Sequence, residues 1–329
     1  MGRRMAGSRQ TGGLARTAQN QGGGVGYASD CALVGAFAWF DNCSFPACAG
    51  AVNMQAHNHL SPQSAFDALA PRYDALFSSA HNALMAWLRR ENLALMQRLF
   101  PPGGRLLEIG CGTGEEAVAL ARLGYTVWAT DASPGMVEQA AKRAVAMGVR
   151  DRVHTLVVPA RDVGTLGVSA FFDGAFTSFG ALNCEPDVQA WVQAMFTLLR
   201  PHAPLMCSVM NRWAMWEMAW YTLHGQPRQA VRRLGGGWRQ ARMPTAEGHA
   251  LVSVRYFSER EMRRMLAPAF TVETVAAWPL LLPPPYLDAL FRRWRALFAR
   301  LEWLERRVRS LPFCRALGDH VLVIARRRA

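Results

Sequence analysis

The run Leu106-Leu107-Glu108-Ile109-Gly110-Cys111-Gly112-Thr113-Gly114-Glu115 constrains this chain more than any other. Arg105–Ile109 reads as a short buried strand, and about Glu115 to Leu123 as a helix. Between them stand three glycines at alternate positions, so the backbone there can pass close beneath a ligand in conformations a side chain would forbid. A strand handed directly to a helix is the unit of a parallel sheet, and the pattern repeats. Strands are read at Thr126–Thr130, Val153–Val158, Asp173–Ser178 and Leu205–Met210, with helices at about Pro134–Ala146 and Pro186–Leu199. Such alternation predicts a doubly wound α/β sheet, Rossmann-like, with right-handed crossovers.

The flanks differ. Residues 1–53 hold ten glycines and no sustained periodicity, which reads as a disordered extension, or as a start assigned too far upstream with Met54 the natural initiator. Ser61-Pro62 begins two or three amphipathic helices, which Pro101-Pro102-Gly103-Gly104 ends. After Met210 comes an excursion, residues 211–250. It carries an aromatic helix from Trp213 to His224, glycines 235–237, and strands near Trp238–Met243 and Ala250–Tyr256. A helix at Ser258–Leu266 and a strand at Phe270–Ala277 follow. Pro283–Pro285 then leads into one long helix, about Leu287 to Arg309, and a last strand at His320–Ala325. The expected organisation is one domain, 54–329, with insertions 211–250 and 283–318 roofing its active site.

Asp131 ends the second strand, 21 residues after Gly110, where a carboxylate can accept two ribose hydroxyls. The glycine spacing is G-x-G-x-G, whereas a dinucleotide fingerprint has its third glycine where Glu115 stands. Glu115 and Glu116 would repel a pyrophosphate at the helix start. A ligand carrying sulfonium and ammonium groups suits this loop better.

Glu108 through Gly114, followed by Thr130-Asp131-Ala132-Ser133-Pro134-Gly135-Met136, resembles motifs I and II of class I S-adenosylmethionine-dependent methyltransferases. Phe66-Asp67-Ala68-Leu69-Ala70-Pro71-Arg72-Tyr73-Asp74 resembles the entry helix of their small-molecule branch, which includes quinone methyltransferases. Asp173-Gly174, Leu198-Leu199-Arg200-Pro201 and Tyr256-Phe257-Ser258-Glu259 fit as well, so the resemblance spans about 61–279 and the last strand. It implies a seven-stranded sheet whose last strand is antiparallel, with S-adenosyl-L-methionine as cofactor. Glu108, Gly110, Cys111, Gly112, Thr113 and Gly114 would then lie under the methionine part, and Asp131 would hold the ribose. Ala132 and Met136 would flank the adenine, while Thr177, Ser178 and Phe179 would lie beside the sulfonium. Tyr73 would close over the cofactor, and Arg90, or its neighbour Arg89, would meet the carboxylate. Ala160, Arg161 and Asp162 stand where the branch often places an acid for the adenine amine, here displaced by two positions.

Cys111 reads as a small residue fitting a tight turn rather than a nucleophile. Asn183, Glu217 and Tyr256 are the candidate catalytic or acceptor-orienting groups. Trp213, Trp216, Trp220 and Tyr221 form a stripe at helical spacing, read equally as core or as the wall of an acceptor chamber. The expected acceptor is a small apolar or aromatic molecule such as a quinone, polyketide or lipid precursor; the alternatives are a non-catalytic cofactor-binding partner protein and a nucleic-acid methyltransferase. The net charge of +13 does not argue for nucleic acid, because the excess is almost all arginine and only Lys142 is lysine. Residues 283–329 hold 11 Arg against four acids, and that basic C-terminal helix makes membrane contact a candidate role. The seven cysteines form no CxxC pair, so no metal site and a reducing, cytoplasmic setting are expected.

Overall fold

The computed structural model describes residues 60–245 and 248–329, so the expectations for residues 1–53 lie outside the described residues. Two helices precede the sheet, α1 (Pro62–Phe77) and α2 (Ala83–Leu99). Ser61 caps α1 by accepting from the Ser64 N–H, with Pro62 in the first turn. Strands β1 (Arg105–Ile109), β2 (Thr126–Asp131), β3 (Val153–Val157), β4 (Gly174–Thr177) and β5 (Pro204–Met210) follow. Helices α3 (Glu115–Arg122), α4 (Pro134–Ala146) and α5 (Val188–Leu198) are the crossovers.

Beyond β5 lie α6 (Met215–Leu223), the short α7 (Pro227–Ala230) and the hairpin β6 (Trp238–Thr245) to β7 (Gly248–Arg255). Helix α8 (Glu259–Leu266) and strand β8 (Phe270–Trp278) return the chain to the sheet. Then come α9 (Asp288–Arg293), α10 (Arg295–Val308) and β9 (His320–Arg327). The seven strands run in the order β3-β2-β1-β4-β5-β9-β8, with β9 antiparallel to both neighbours, as the resemblance implies.

Apolar side chains bury both faces of the sheet, as a covered parallel sheet requires. Leu106, Val127, Ala129 and Leu322 meet α2, α3, α9 and α10 on one face. Leu107, Ala175, Val321 and Val323 meet α5 and α8 on the other. The strand order reverses between β2-β1 and β4, and in open α/β sheets ligands bind at such a point, at the carboxyl ends of the strands.

The single long helix expected from Leu287 to Arg309 is instead two, because Trp294 leaves the helical region at φ −109°, ψ 35°. The two pieces have separate anchors. The start of α9 is held by Asn82 Nδ2 donating to Pro285 O and by the Leu84 N–H donating to Asp288 Oδ1. Helix α10 is held by Glu305, which accepts from the Leu280 and Leu281 N–H groups.

Candidate functional site

The glycine loop is tight where the sequence says it should be. Gly110, Gly112 and Gly114 all have positive φ. A Cβ on Gly110 would lie 2.2 Å from Ala181 Cβ, and one on Gly114 2.8 Å from Ala140 Cβ. Asp131 braces the loop, its Oδ2 accepting from the Gly112 N–H at 2.9 Å and its Oδ1 from the Ser133 N–H at 2.9 Å. Burial raises its carboxyl, and those backbone donors work against the rise.

Glu108 is almost wholly enclosed at the end of β1, and its Oε2 has no hydrogen-bond partner. Burial first, then Glu116, pushes its carboxyl well above the ordinary range, with Arg89 opposing and Asp131 adding. Three carboxylates thus act on one another at this enclosed site, and of them Glu108 keeps an oxygen without a partner. Those donor atoms fit a cation-bearing cofactor: Glu108 has an orphaned oxygen for an ammonium group, and the loop gives room for close approach. A pyrophosphate would meet repulsion here.

Helix α1 closes over this loop. The Tyr73 ring lies 3.8 Å from where a Cβ on Gly112 would stand. Burial pushes its phenol up to about 12, against the Arg89 charge. Two acids of α1 act as ties. Asp74 accepts from Thr113 Oγ1 at 2.6 Å and pairs with Arg143 of α4. Asp67 accepts from the Gly135 N–H at 2.6 Å and from Ser133 Oγ at 3.0 Å. The sequence displayed both acids without showing what they hold.

Arg89, not Arg90, enters the crevice. Arg90 is exposed, whereas Arg89 pairs with Glu115 at 3.3 Å and with Glu116, and its guanidinium lies 5.1 Å from the Phe179 ring centre. The reason is helical phase: Arg89 shares the inward face with Met85, Asn92 and Met96, and Arg90 is turned 100° away. The end of β4 supplies Thr177, buried with its Oγ1 unpartnered, and Ser178, which accepts from Asn92 Nδ2 at 3.2 Å. Phe179 follows at φ +53°, a strained value for a bulky residue. Met136 is buried and Ala132 half-buried beyond Asp131. Cys111 is a buried thiol whose pKa burial raises far above the thiolate range, which leaves it neutral.

Asp162 lies exposed, 3.6 Å from Arg161. Ala160 and Arg161 open a turn of 3-10 helix, Ala160–Leu166, whose Arg161 N–H donates to Glu185 Oε2 at 3.3 Å. The hairpin β6–β7 packs Met243, Ala250 and Val252 on Ala65, Leu69 and Phe77 of α1. Met210, Ala241, Val254 and Tyr256 form a second small cluster, and the Cys184 side chain touches both.

The acceptor-side expectations need correction. Asn183 does not face open space. Its Nδ2 donates to Met210 O at 3.1 Å and Arg255 O at 2.6 Å, and its Oδ1 accepts from the Met210 N–H at 2.8 Å. With both ends of the amide spent on backbone, it is a strut joining β5 and β7 to the turn after β4. The aromatic stripe also disperses. Trp213 faces solvent, Trp216 donates to Leu281 O at 2.7 Å, Trp220 stacks on His224, and Tyr221 is buried beneath Arg232. These residues form no common wall.

Glu217 enters a buried ion cluster instead. It accepts from Arg232 Nε at 2.8 Å and Arg233 Nε at 3.0 Å, and Arg233 also reaches Asp319 Oδ1 at 3.0 Å. Asp319 Oδ2 lies 2.9 Å from His320 Nδ1, and the Arg233 guanidinium lies 5.0 Å from the Tyr256 ring centre. Burial pushes the Glu217 carboxyl up to about 7, against the pull of Arg233. Arg233 and His320 hold Asp319 low against its own burial. Met210 pairs with His320 across β5 and β9, so the cluster stands at the carboxyl end of β5.

A family model described as a methyltransferase domain matches residues 84–269, more than half of the chain. The ubiquinone biosynthesis O-methyltransferase of Xanthomonas axonopodis pv. citri is 35% identical over 115 residues. That alignment covers 35% of this chain and 46% of the relative, so the match spans about half the relative's length. The enzyme of the same description from Xanthomonas campestris pv. campestris is 34% identical over equal shares. Among solved structures, the CcbJ methyltransferase of Streptomyces caelestis superposes with a TM-score of 0.55 at 16% identity, over 81% of this chain and 99% of that one. A protein of Listeria monocytogenes described as an S-adenosylmethionine dependent methyltransferase gives 0.53 at 16% identity, over 75% and 100%. At these identities the likeness establishes the fold.

Proposed function

This chain belongs to the methyltransferase-domain family, and from that premise we propose that it transfers a methyl group from S-adenosyl-L-methionine to a small apolar or aromatic acceptor. The observation that carries the cofactor half is the crevice around Glu108, where an enclosed carboxylate oxygen has no partner beside a glycine loop and Asp131. When bound, the cofactor supplies an electrophilic methyl group on a cationic sulfur that leaves as a neutral thioether. Glu108 is assigned to the ammonium group, Asp131 to the ribose hydroxyls and Arg89 to the carboxylate. Tyr73 and the α1 ties hold the lid down and exclude water. Alignment of the two reactants can supply about 7–11 kcal/mol of barrier reduction, so little covalent help from side chains is needed.

The acceptor half rests on the roof. Hairpin β6–β7 and α1 meet through apolar side chains above the carboxyl ends of the strands, which suits a small molecule and leaves a duplex little access. Tyr256 is the group assigned to orient an acceptor at the β5 end, since both oxygens of Glu217 are spent on Arg232 and Arg233. Reaction in the cytoplasm is the setting that fits; among the described residues no helix is long and apolar enough to cross a membrane. The test is methyl-labelled cofactor offered with hydroxylated aromatics, quinols and polyketide phenols, and separately with tRNA and duplex DNA. Label in a small molecule supports the reading. Label confined to nucleic acid, or cofactor binding with no turnover on any acceptor, overturns it.

A further inference from the structure

Helix α10 presents two unlike faces. Phe298, Glu302 and Glu305 turn inward, where both acids are engaged: Glu302 pairs with Arg295, and Glu305 takes the Leu280 and Leu281 N–H groups. The outward face therefore carries no acid. It carries Arg300 and Arg307, spaced seven apart and so aligned along α10, and exposed Arg293 stands at the end of α9 just before the bend. Their neighbours are otherwise employed, Arg292 with Asp288 and Arg306 with Glu91. Among the described residues these three arginines join no ion pair, and Arg307 lies 3.9 Å from the Trp303 ring centre.

Large apolar side chains border that line. Leu297 and Leu304 stand on one side and Trp303, 54% exposed, on the other. Trp294 lies at the bend, and just past the helix come Leu311 and Phe313, which is 90% exposed. Water is a poor setting for so many apolar groups within one short segment.

We infer that this face docks on an anionic lipid bilayer. The charge is complementary, since each arginine near an acidic headgroup layer strengthens partitioning about fivefold. The composition agrees, because leucines and tryptophan flank the arginines, and long arginines keep their charge at headgroup depth while the rings sink. A second copy of the chain is disfavoured by the same charge: face to face, six unpaired arginines would meet. This inference does not depend on which acceptor is methylated.

The full chain is tested by flotation with vesicles of phosphatidylcholine and phosphatidylglycerol in equal parts, and of phosphatidylcholine alone. Binding is expected to the first and to weaken with salt. Replacing Arg293, Arg300 and Arg307 together by Ala should cost on the order of a hundredfold in partitioning. Replacing Trp303 and Phe313 by Ser should cost roughly tenfold or more. Neither variant should change the melting temperature, since all five side chains are exposed. Equal binding to both vesicles, no binding, or variants that bind like the parent would overturn the inference. A dimer in sedimentation velocity that disappears in the aromatic variant, without vesicle binding, would assign the face to self-association instead.

Discussion

Glu108→Gln separates the two costs this site imposes. The native carboxyl is enclosed, has an orphaned Oε2, and shares its surroundings with Glu116 and Asp131. Its pKa in the folded chain is therefore raised, chiefly by burial. A raised carboxyl stabilises fully below its unfolded value, near 4.3, and that stability is lost as pH rises through the folded value. Glutamine copies the protonated form in shape and has no such loss. The melting temperatures of the two proteins should thus nearly coincide at about pH 4. The variant should become the more stable one as pH rises. The charged form lacks a partner on one oxygen, and an unsatisfied buried group costs about 1–3 kcal/mol. For a domain of this size that is a gain of about 2–12 °C for the variant once the native carboxyl has ionised.

Cofactor affinity should move the other way. An ammonium group favours ionised Glu108, so native affinity should rise with pH through the raised carboxyl value and then level. The variant should be weaker by the strength of a charged hydrogen bond, about 1.5–3 kcal/mol or roughly 10- to 150-fold in Kd, with a flatter pH profile. Calorimetric titration and thermal melts at several pH values read both effects. If the variant binds as tightly as the parent, Glu108 does not hold the cofactor. If it is less stable at every pH, Oε2 is not the orphaned charge argued here.

Asp131→Ala removes the proposed ribose acceptor and also frees the Gly112 and Ser133 N–H groups, so calorimetry should show at least a tenfold loss of cofactor affinity. Arg89→Ala should weaken cofactor binding, whereas Arg90→Ala should leave it within about 0.5 kcal/mol, as at other plain surface positions. Asp74→Ala releases Thr113 and Arg143 from α1; because the carboxylate is half exposed, a urea midpoint should register only about 1 kcal/mol, with the larger effect on KM for the cofactor.

The sheet was legible because its signals are local. Each strand is a short apolar run, each crossover a helix of regular period, and the G-x-G-x-G turn marks where the first becomes the second. Arg89 was nearly legible: both arginines were in view, and counting α2 from Met85 and Asn92 gives the inward one. The break at Trp294 was not, because the apolar spacing continues through it. The two pieces it separates are tied at Asp288 and Glu305 to residues 204 and 25 positions away. The acceptor side was hidden for a stronger form of the same reason. Glu217, Arg233 and Asp319 meet across separations of 16 and 86 residues, and nothing in the local pattern of any one of them announces the others. Trp213, Trp216, Trp220 and Tyr221 do share a local pattern, yet α6 is bordered by solvent, by Leu281 and by Arg232, so each ring meets a different neighbour. A periodic stripe fixes which way side chains point along a helix, and only the packed neighbours decide whether that direction is core, cleft or water.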